Sequence, residues 1–365
     1  DVITVDDAGD PLTIPVSGTA ADGSTGPTGP TDPGGTTGPT GPSAPAVSRL
    51  SGGDRYATGV AVSQAQWAAA GGDATSRARA QEVVLARGDQ FPDALAGVPL
   101  AAAVKGPLLL TDPKTLTPDT EKEIQRVLPR GGTVNVLGLS GAVSDAVAGR
   151  LTQLGYHVVR HGGEDRYATA RAIATKLHSA KVILATGQDY ADALSAGPFA
   201  TGPAATGGVP AAILLTDGKT LDPVTAGFVK SIAAGSTAAA PTVFAVGGQA
   251  ATAASHLGGY VKSFSGADRY ATDAMVVGAI AAASPLTHLG IATGLGFPDA
   301  LTGGAFTASQ GGALVIIPST LGPDTTHLLN ALAPRLATVT MFGGKNVVSE
   351  TVAGQITTAV GGRPQ

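Results

Sequence analysis

The pentapeptide D-R-Y-A-T occurs three times in this chain, at residues 54–58, 165–169 and 268–272. Copies spaced 111 and 103 residues apart do not arise by chance. They impose tandem modules, and any fold must give each copy an equivalent environment. Every copy follows a glycine-containing turn: Ser51-Gly52-Gly53, Gly162-Gly163-Glu164 and Ser265-Gly266-Ala267.

Three further elements recur in the same order. The first is Phe91-Pro92-Asp93-Ala94-Leu95, matched by Tyr190-Ala191-Asp192-Ala193-Leu194 and Phe297-Pro298-Asp299-Ala300-Leu301. The second is an apolar run, Leu108-Leu109-Leu110, Ile213-Leu214-Leu215 and Val315-Ile316-Ile317, closed by Thr-Asp in the first two copies and by Pro318-Ser319 in the third. The last is an apolar strand running into glycine, over residues 134–138, 243–247 and 339–343. In the first copy the hydrophobic period predicts helices over 57–70, 93–104, 118–128 and 145–154, and strands over 83–86, 108–111, 134–137 and 158–159. Short apolar strands separated by helices predict parallel sheets buried on both faces, in three-layer α/β units.

Composition removes several alternatives. Hydrophobic residues at 43% against 14% charged support a large core. No cysteine means no disulfide, thiolate metal site or cysteine nucleophile. A net charge of −4 with no basic run, and 15 aromatics in all, disfavour nucleic acid as a partner. Residues 95–110 are the longest apolar stretch, but Pro99, Lys105 and Pro107 interrupt them, so no membrane insertion is expected. The start, Asp1-Val2-Ile3-Thr4-Val5, does not read as a signal peptide; a mature secreted chain or a trimmed one would look like this. The six histidines occupy different repeat positions, and no H-E-x-x-H, P-loop or nucleophile elbow occurs. A non-catalytic protein with no cofactor and no metal is expected.

The triplicated D-R-Y-A-T, the [FY]-x-D-A-L element and the I-L-L-like run resemble the cell wall-binding repeat 2 family, over residues 48–361. That resemblance implies three Toprim-like or Rossmann-like modules in a pseudo-threefold arrangement, at a Gram-positive-type cell surface or cell wall. It also implies secretion, and non-covalent binding of anionic wall glycopolymers. Pro318-Ser319 and Ala191 depart from the pattern, which sets three equivalent sites in question. Domains are expected at 1–22 (strand extension), 23–45 (Gly-Pro-Thr segment), 46–160, 161–263 and 264–365 (modules). No separate effector domain is apparent in the chain.

Candidate ligand-binding residues follow from the repeats. Asp54, Asp165 and Asp268 open helices and can cap them. Arg55, Arg166 and Arg269 carry planar five-donor forks suited to a carboxylate or phosphate. Two readings are open: a cap with an Arg–carboxylate bridge at each module junction, or recognition of an acidic glycopolymer in inter-module grooves. Asp93, Asp192 and Asp299 sit at predicted helix starts, where a carboxylate complements the dipole. Lys114 and Lys219 follow the Thr-Asp of the first two copies and can add positive charge. A magnesium-dependent hydrolase using the aspartates is the weakest alternative, because each module offers few convergent oxygens.

Residues 23–43 carry a second period. Read in threes they are GST, GPT, GPT, DPG, GTT, GPT and GPS, a collagen-like G-X-Y register in which glycine fits the crowded axis of a triple helix. A stiff polyproline-II linker, roughly 65 Å long, is the other reading. Ahead of it, Val2, Ile3 and Val5, then Leu12, Ile14 and Val16, alternate as a strand pair around a polar turn. Two strands alone bury too little to be stable, so they are expected to dock. The expectation is self-association into a filament or lattice through these strands and the triplet residues Gly26, Pro27, Gly29, Pro30, Gly38, Pro39, Gly41 and Pro42. The alternative is a monomeric wall anchor or autolysin modulator on a flexible stalk.

Overall fold

A computed structural model of the chain describes residues 44–72, 77–206 and 209–364, together with the backbone of residues 2–5 and 12–15. The latter form β1 (Val2–Val5) and β2 (Leu12–Pro15), paired antiparallel with Val2 opposite Pro15 and Val5 opposite Leu12. Val16 and the whole G-X-Y segment lie outside the described residues.

A strand, β3 (Ala46–Leu50), precedes the first repeat. The first module then runs α1 (Arg55–Gln66), β4 (Glu82–Arg87), α2 (Gly97–Ala103), β5 (Leu108–Thr111), α3 (Pro118–Val127), β6 (Thr133–Leu137), α4 (Asp145–Gln153) and β7 (His157–His161). The second repeats this as α5 (Arg166–Leu177), β8 (Val182–Thr186), α6 (Ala191–Thr201), β9 (Ala212–Thr216), α7 (Pro223–Ala233), β10 (Val243–Val246), α8 (Gly248–Ala254) and β11 (Val261–Phe264). The third comprises α9 (Arg269–Ala283), β12 (His288–Thr293), α10 (Pro298–Ser309), β13 (Ala313–Ile317), α11 (Pro323–Leu332), β14 (Thr338–Phe342), α12 (Glu350–Ala359) and β15 (Arg363–Pro364).

The sheets are parallel, in the orders β5-β4-β6-β7, β9-β8-β10-β11 and β13-β12-β14-β3-β15. Their central strands are fully buried, which is why they read as continuous apolar runs without alternation. The strand ahead of the first D-R-Y-A-T belongs to the third sheet, where Ala46 pairs with Thr338 and Leu50 with Phe342. β7 and β11, the strands ahead of the other two copies, likewise lie in the preceding sheet. Each D-R-Y-A-T therefore crosses from one sheet to the next module, and β3 closes the ring.

Helices α2, α6 and α10 meet on the axis of that ring, and one continuous core joins residues of all three modules. Small residues allow the close approach: a Cβ on Gly197 would lie 3.2 Å from Val98 of the neighbouring helix. In the first module the axial helix starts at Gly97, four residues later than the 93 expected from sequence. Pro99 does not account for this on its own, because Pro198, at the equivalent position six residues after the aspartate, lies inside the full-length α6. α6 and α10 begin at Ala191 and Pro298, which leaves Asp192 and Asp299 in the first turn as expected.

Candidate functional site

The repeated motifs converge on one face, at the carboxyl ends of the parallel strands, where open α/β sheets bind ligands. Asp54, Asp165 and Asp268 are N-caps: they accept from the N–H groups of Ala57 (2.8 Å), Ala168 (2.7 Å) and Ala271 (2.8 Å). The threonine ending each pentapeptide turns back onto the preceding glycine turn. Thr58, Thr169 and Thr272 accept from Gly52, Gly163 and Gly266 at 3.1–3.2 Å.

Each arginine joins two modules. Arg55 and Arg269 donate to the carbonyls of Gly88 (2.6 Å) and Gly294 (2.9 Å), and Arg166 donates to that of Gly187. These glycines directly follow the central strands β4, β8 and β12 of the arginine's own module. The guanidinium then lies over an aromatic ring of the module before it. Arg55 sits 5.9 Å from the Phe297 centroid, Arg166 5.7 Å from Phe91 and Arg269 5.6 Å from Tyr190. The three rings meet on the axis with centroids 5.6, 5.9 and 6.0 Å apart, an almost equilateral triangle. All three are half-buried.

A carboxylate bridge at every junction is thus not what the arginines make. Only the Arg269 fork meets one among the described residues, Asp189 at 2.9 Å. Gln90 and Gly296 hold the equivalent positions at the other junctions, and among the described residues Arg55 and Arg166 form no ion pair.

Asp93, Asp192 and Asp299 face the next module across each junction. Burial pushes Asp93 and Asp299 above the usual carboxyl range, partly offset by the hydroxyls of Thr169 and Thr58 and the charges of Arg166 and Arg55. Burial together with the charge of Asp189 pushes Asp192 up to about 6, against the pull of Arg269. Each carboxylate rests on a glycine with positive φ at the end of a strand: Gly138 (+87°), Gly247 (+92°) and Gly343 (+105°). A Cβ at Gly138 or Gly343 would come within 2.6 Å of the aspartate oxygen, so these glycines are carboxylate seats as well as turns.

At the junction of the third and first modules this arrangement borders a cavity of about 280 Å³, lined by Arg55, Thr58, Asp299 and Asn346 among others. Lys114 and Lys219 are exposed on the loops after β5 and β9, and neither lines it. Asp112 folds its own turn, accepting from the N–H groups of Lys114 and Thr115, while Asp217 accepts from the Tyr167 hydroxyl. Among the described residues no three acidic or histidine side chains converge as metal ligands, and no helix is long and apolar enough to cross a membrane.

A family model, cell wall binding domain 2, matches residues 49–148, 160–256 and 264–353, one match per module. The chain belongs to this family. Among curated proteins it is 25% identical over 319 residues to the N-acetylmuramoyl-L-alanine amidase LytC of Bacillus subtilis, covering 87% of this chain and 59% of that one. It is 34% identical over 170 residues to the amidase enhancer of the same organism, covering 46% and 21%. Two solved structures share the fold: Cwp8 from Clostridium difficile (TM-score 0.72, 24% identity, 86% of this chain and 52% of that) and Cwp6 (TM-score 0.68, 21%, 87% and 48%). The chain thus spans about three-fifths or less of each of these proteins. Every repeated motif of the candidate face lies within the residues matched by cell wall binding domain 2.

The aromatic triad is not among the candidate site residues named from the sequence. Its signal was present: only 4% of the chain is aromatic, yet the position two before each aspartate is aromatic in all three copies.

Proposed function

We propose that this chain acts outside the cell as a non-catalytic anchor, holding anionic cell-wall glycopolymer at the three module junctions. The observation that carries the reading is the cyclic set of arginines, each fixed by a glycine carbonyl and a neighbouring ring, with neither Arg55 nor Arg166 in an ion pair among the described residues. A guanidinium held in this way keeps donors for an incoming carboxylate or phosphate without losing side-chain entropy on binding. The family match and the N-acetylmuramoyl-L-alanine amidase relative support a cell-wall partner. Retention on purified wall polymer tests it. Substituting alanine for Arg55, Arg166 and Arg269 together is expected to abolish retention while the circular dichroism spectrum is kept. Retention unchanged in the folded triple variant would overturn the reading.

A second component of the proposal is self-association into a filament or surface layer through the N-terminal region. The G-X-Y register and the β1–β2 pairing favour it over a monomeric anchor. Electron microscopy of the protein with and without residues 1–45 separates the two. Assemblies that persist after truncation would sink this component.

A further inference from the structure

At the opposite pole of the axis, the C-terminal ends of α2, α6 and α10 and the residues leading into β5 and β9 surround a second cavity, of about 370 Å³. That volume lies within the range of about 300–1,000 Å³ usual for small-molecule sites. We propose that this axial cavity binds one acidic sugar residue, a pyranose bearing a carboxylate or a phosphate, separately from the module junctions.

Three observations define the ligand. Trp67, Ala101, Ala308 and Pro210 offer apolar wall, the surface on which the C–H face of a pyranose packs. The Trp67 side chain is 5% exposed, and among the described residues its buried Nε1–H meets no acceptor. Arg79 and Lys105 also line the cavity, both exposed and neither ion-paired among the described residues. Arg79 binds the carbonyls of Ala70 and Gly72 through its two terminal nitrogens, which fixes the guanidinium and leaves further donors. The Thr201 hydroxyl donates to the Pro198 carbonyl at 2.8 Å, so its oxygen is available to accept from a sugar hydroxyl.

The site is single although the ring is threefold. Six residues before the strand-end position held by Thr111, Thr216 and Pro318 stand Lys105, Pro210 and Gly312. The repeats supply one ammonium there, a flat ring, and no side chain. Both cations come from the first module.

Trp67 is the only tryptophan in the chain, so its emission reports on this cavity alone. The full chain is titrated with methyl glucuronide and with glucose 6-phosphate, using methyl glucoside and inorganic phosphate as controls. A saturable emission change with at least one acidic sugar, and a much weaker one with either control, is expected. The two acidic sugars distinguish carboxylate from phosphate. Lys105→Gln and Arg79→Gln should each weaken binding about tenfold. Arg55→Ala should leave it unchanged, which separates this site from the junctions. The proposal is overturned if neither acidic sugar moves the emission, if a control matches them, or if the folded Lys105→Gln variant responds like the parent. An emission change that appears only on removing residues 1–45 would instead make the cavity a seat for the chain's own N-terminal segment.

Discussion

The guanidinium of Arg166 lies 5.7 Å from the centroid of Phe91, across the boundary between the first and second modules. Its counterparts repeat the contact from first to third and from third to second, so a single residue type ties the ring together at each junction. Cation–π contact in a half-buried setting contributes about 1 kcal/mol. A double-mutant cycle on Arg166→Ala and Phe91→Ala should return a coupling of ~1 kcal/mol in urea unfolding, over and above the loss of the Gly187 carbonyl bond. Strictly additive losses would mean that the stacking is incidental.

The glycines that end β6, β10 and β14 make a second test. Gly247 has φ +92°, and a Cβ there would fall on the Asp192 carboxylate. Gly247→Ala is expected to cost ~1–3 kcal/mol in backbone strain, with an additional clash. Asp192→Ala placed on top should recover the clash and leave the strain, giving a less-than-additive pair. If Gly247→Ala alone leaves the unfolding midpoint unmoved, the carboxylate-seat assignment fails.

Much of this was legible from the chain, because a motif repeated three times carries its own control. The caps at Asp54, Asp165 and Asp268, the parallel sheets and the strand-to-glycine elements all follow from local pattern. Three things did not. The partner of residues 46–50 is nearly 300 residues away, and apolar periodicity states that a strand is buried without stating in which sheet. The arginine partners were left open between a carboxylate bridge and a ligand, and the fold delivers carbonyls and ring faces at all three junctions and a carboxylate only at Arg269. The third is Asp273, which stands where the other copies have Gly59 and Ala170, so repetition gave no warning of it.

Asp273 is fully buried between α9 and α6, accepting from the Ile316 N–H at 2.9 Å with the Ser195 hydroxyl beside it. Burial, reinforced by the charge of Asp192, pushes its carboxyl up to about 7. Asp192, which faces Asp189 and Arg269, is raised to about 6. Both values exceed the 3.8 ordinary for an unfolded aspartate, so between those limits the folded chain holds more protons than the unfolded one. Stability therefore falls as pH rises from about 4 to 7 through these two groups. Asp273→Asn keeps an acceptor for Ile316 without the charge. It should flatten that part of the urea-midpoint profile and leave the protein more stable than the parent at about pH 8. Parallel profiles for the two proteins would exclude Asp273 as the titrating group.

Ring closure by β3 yields the last prediction. Val47 is buried in β3 opposite Val339, so the segment preceding the first module stabilises the third. Val47→Asp puts an unpaired charge into that core, at a cost of several kcal/mol if the strand stays in place. The strand is more cheaply released, because β3 reaches the sheet as a separate segment from one end of the modular body. Amide exchange should then accelerate in β14 and β12 of the third sheet, while β4 and β6 of the first keep their protection. Loosening should also reach the junction where Arg55 crosses to Phe297, since α1 follows β3 after four residues. Faster exchange confined to β4 and β6 would place β3 with the first module instead, and the ring would then be open.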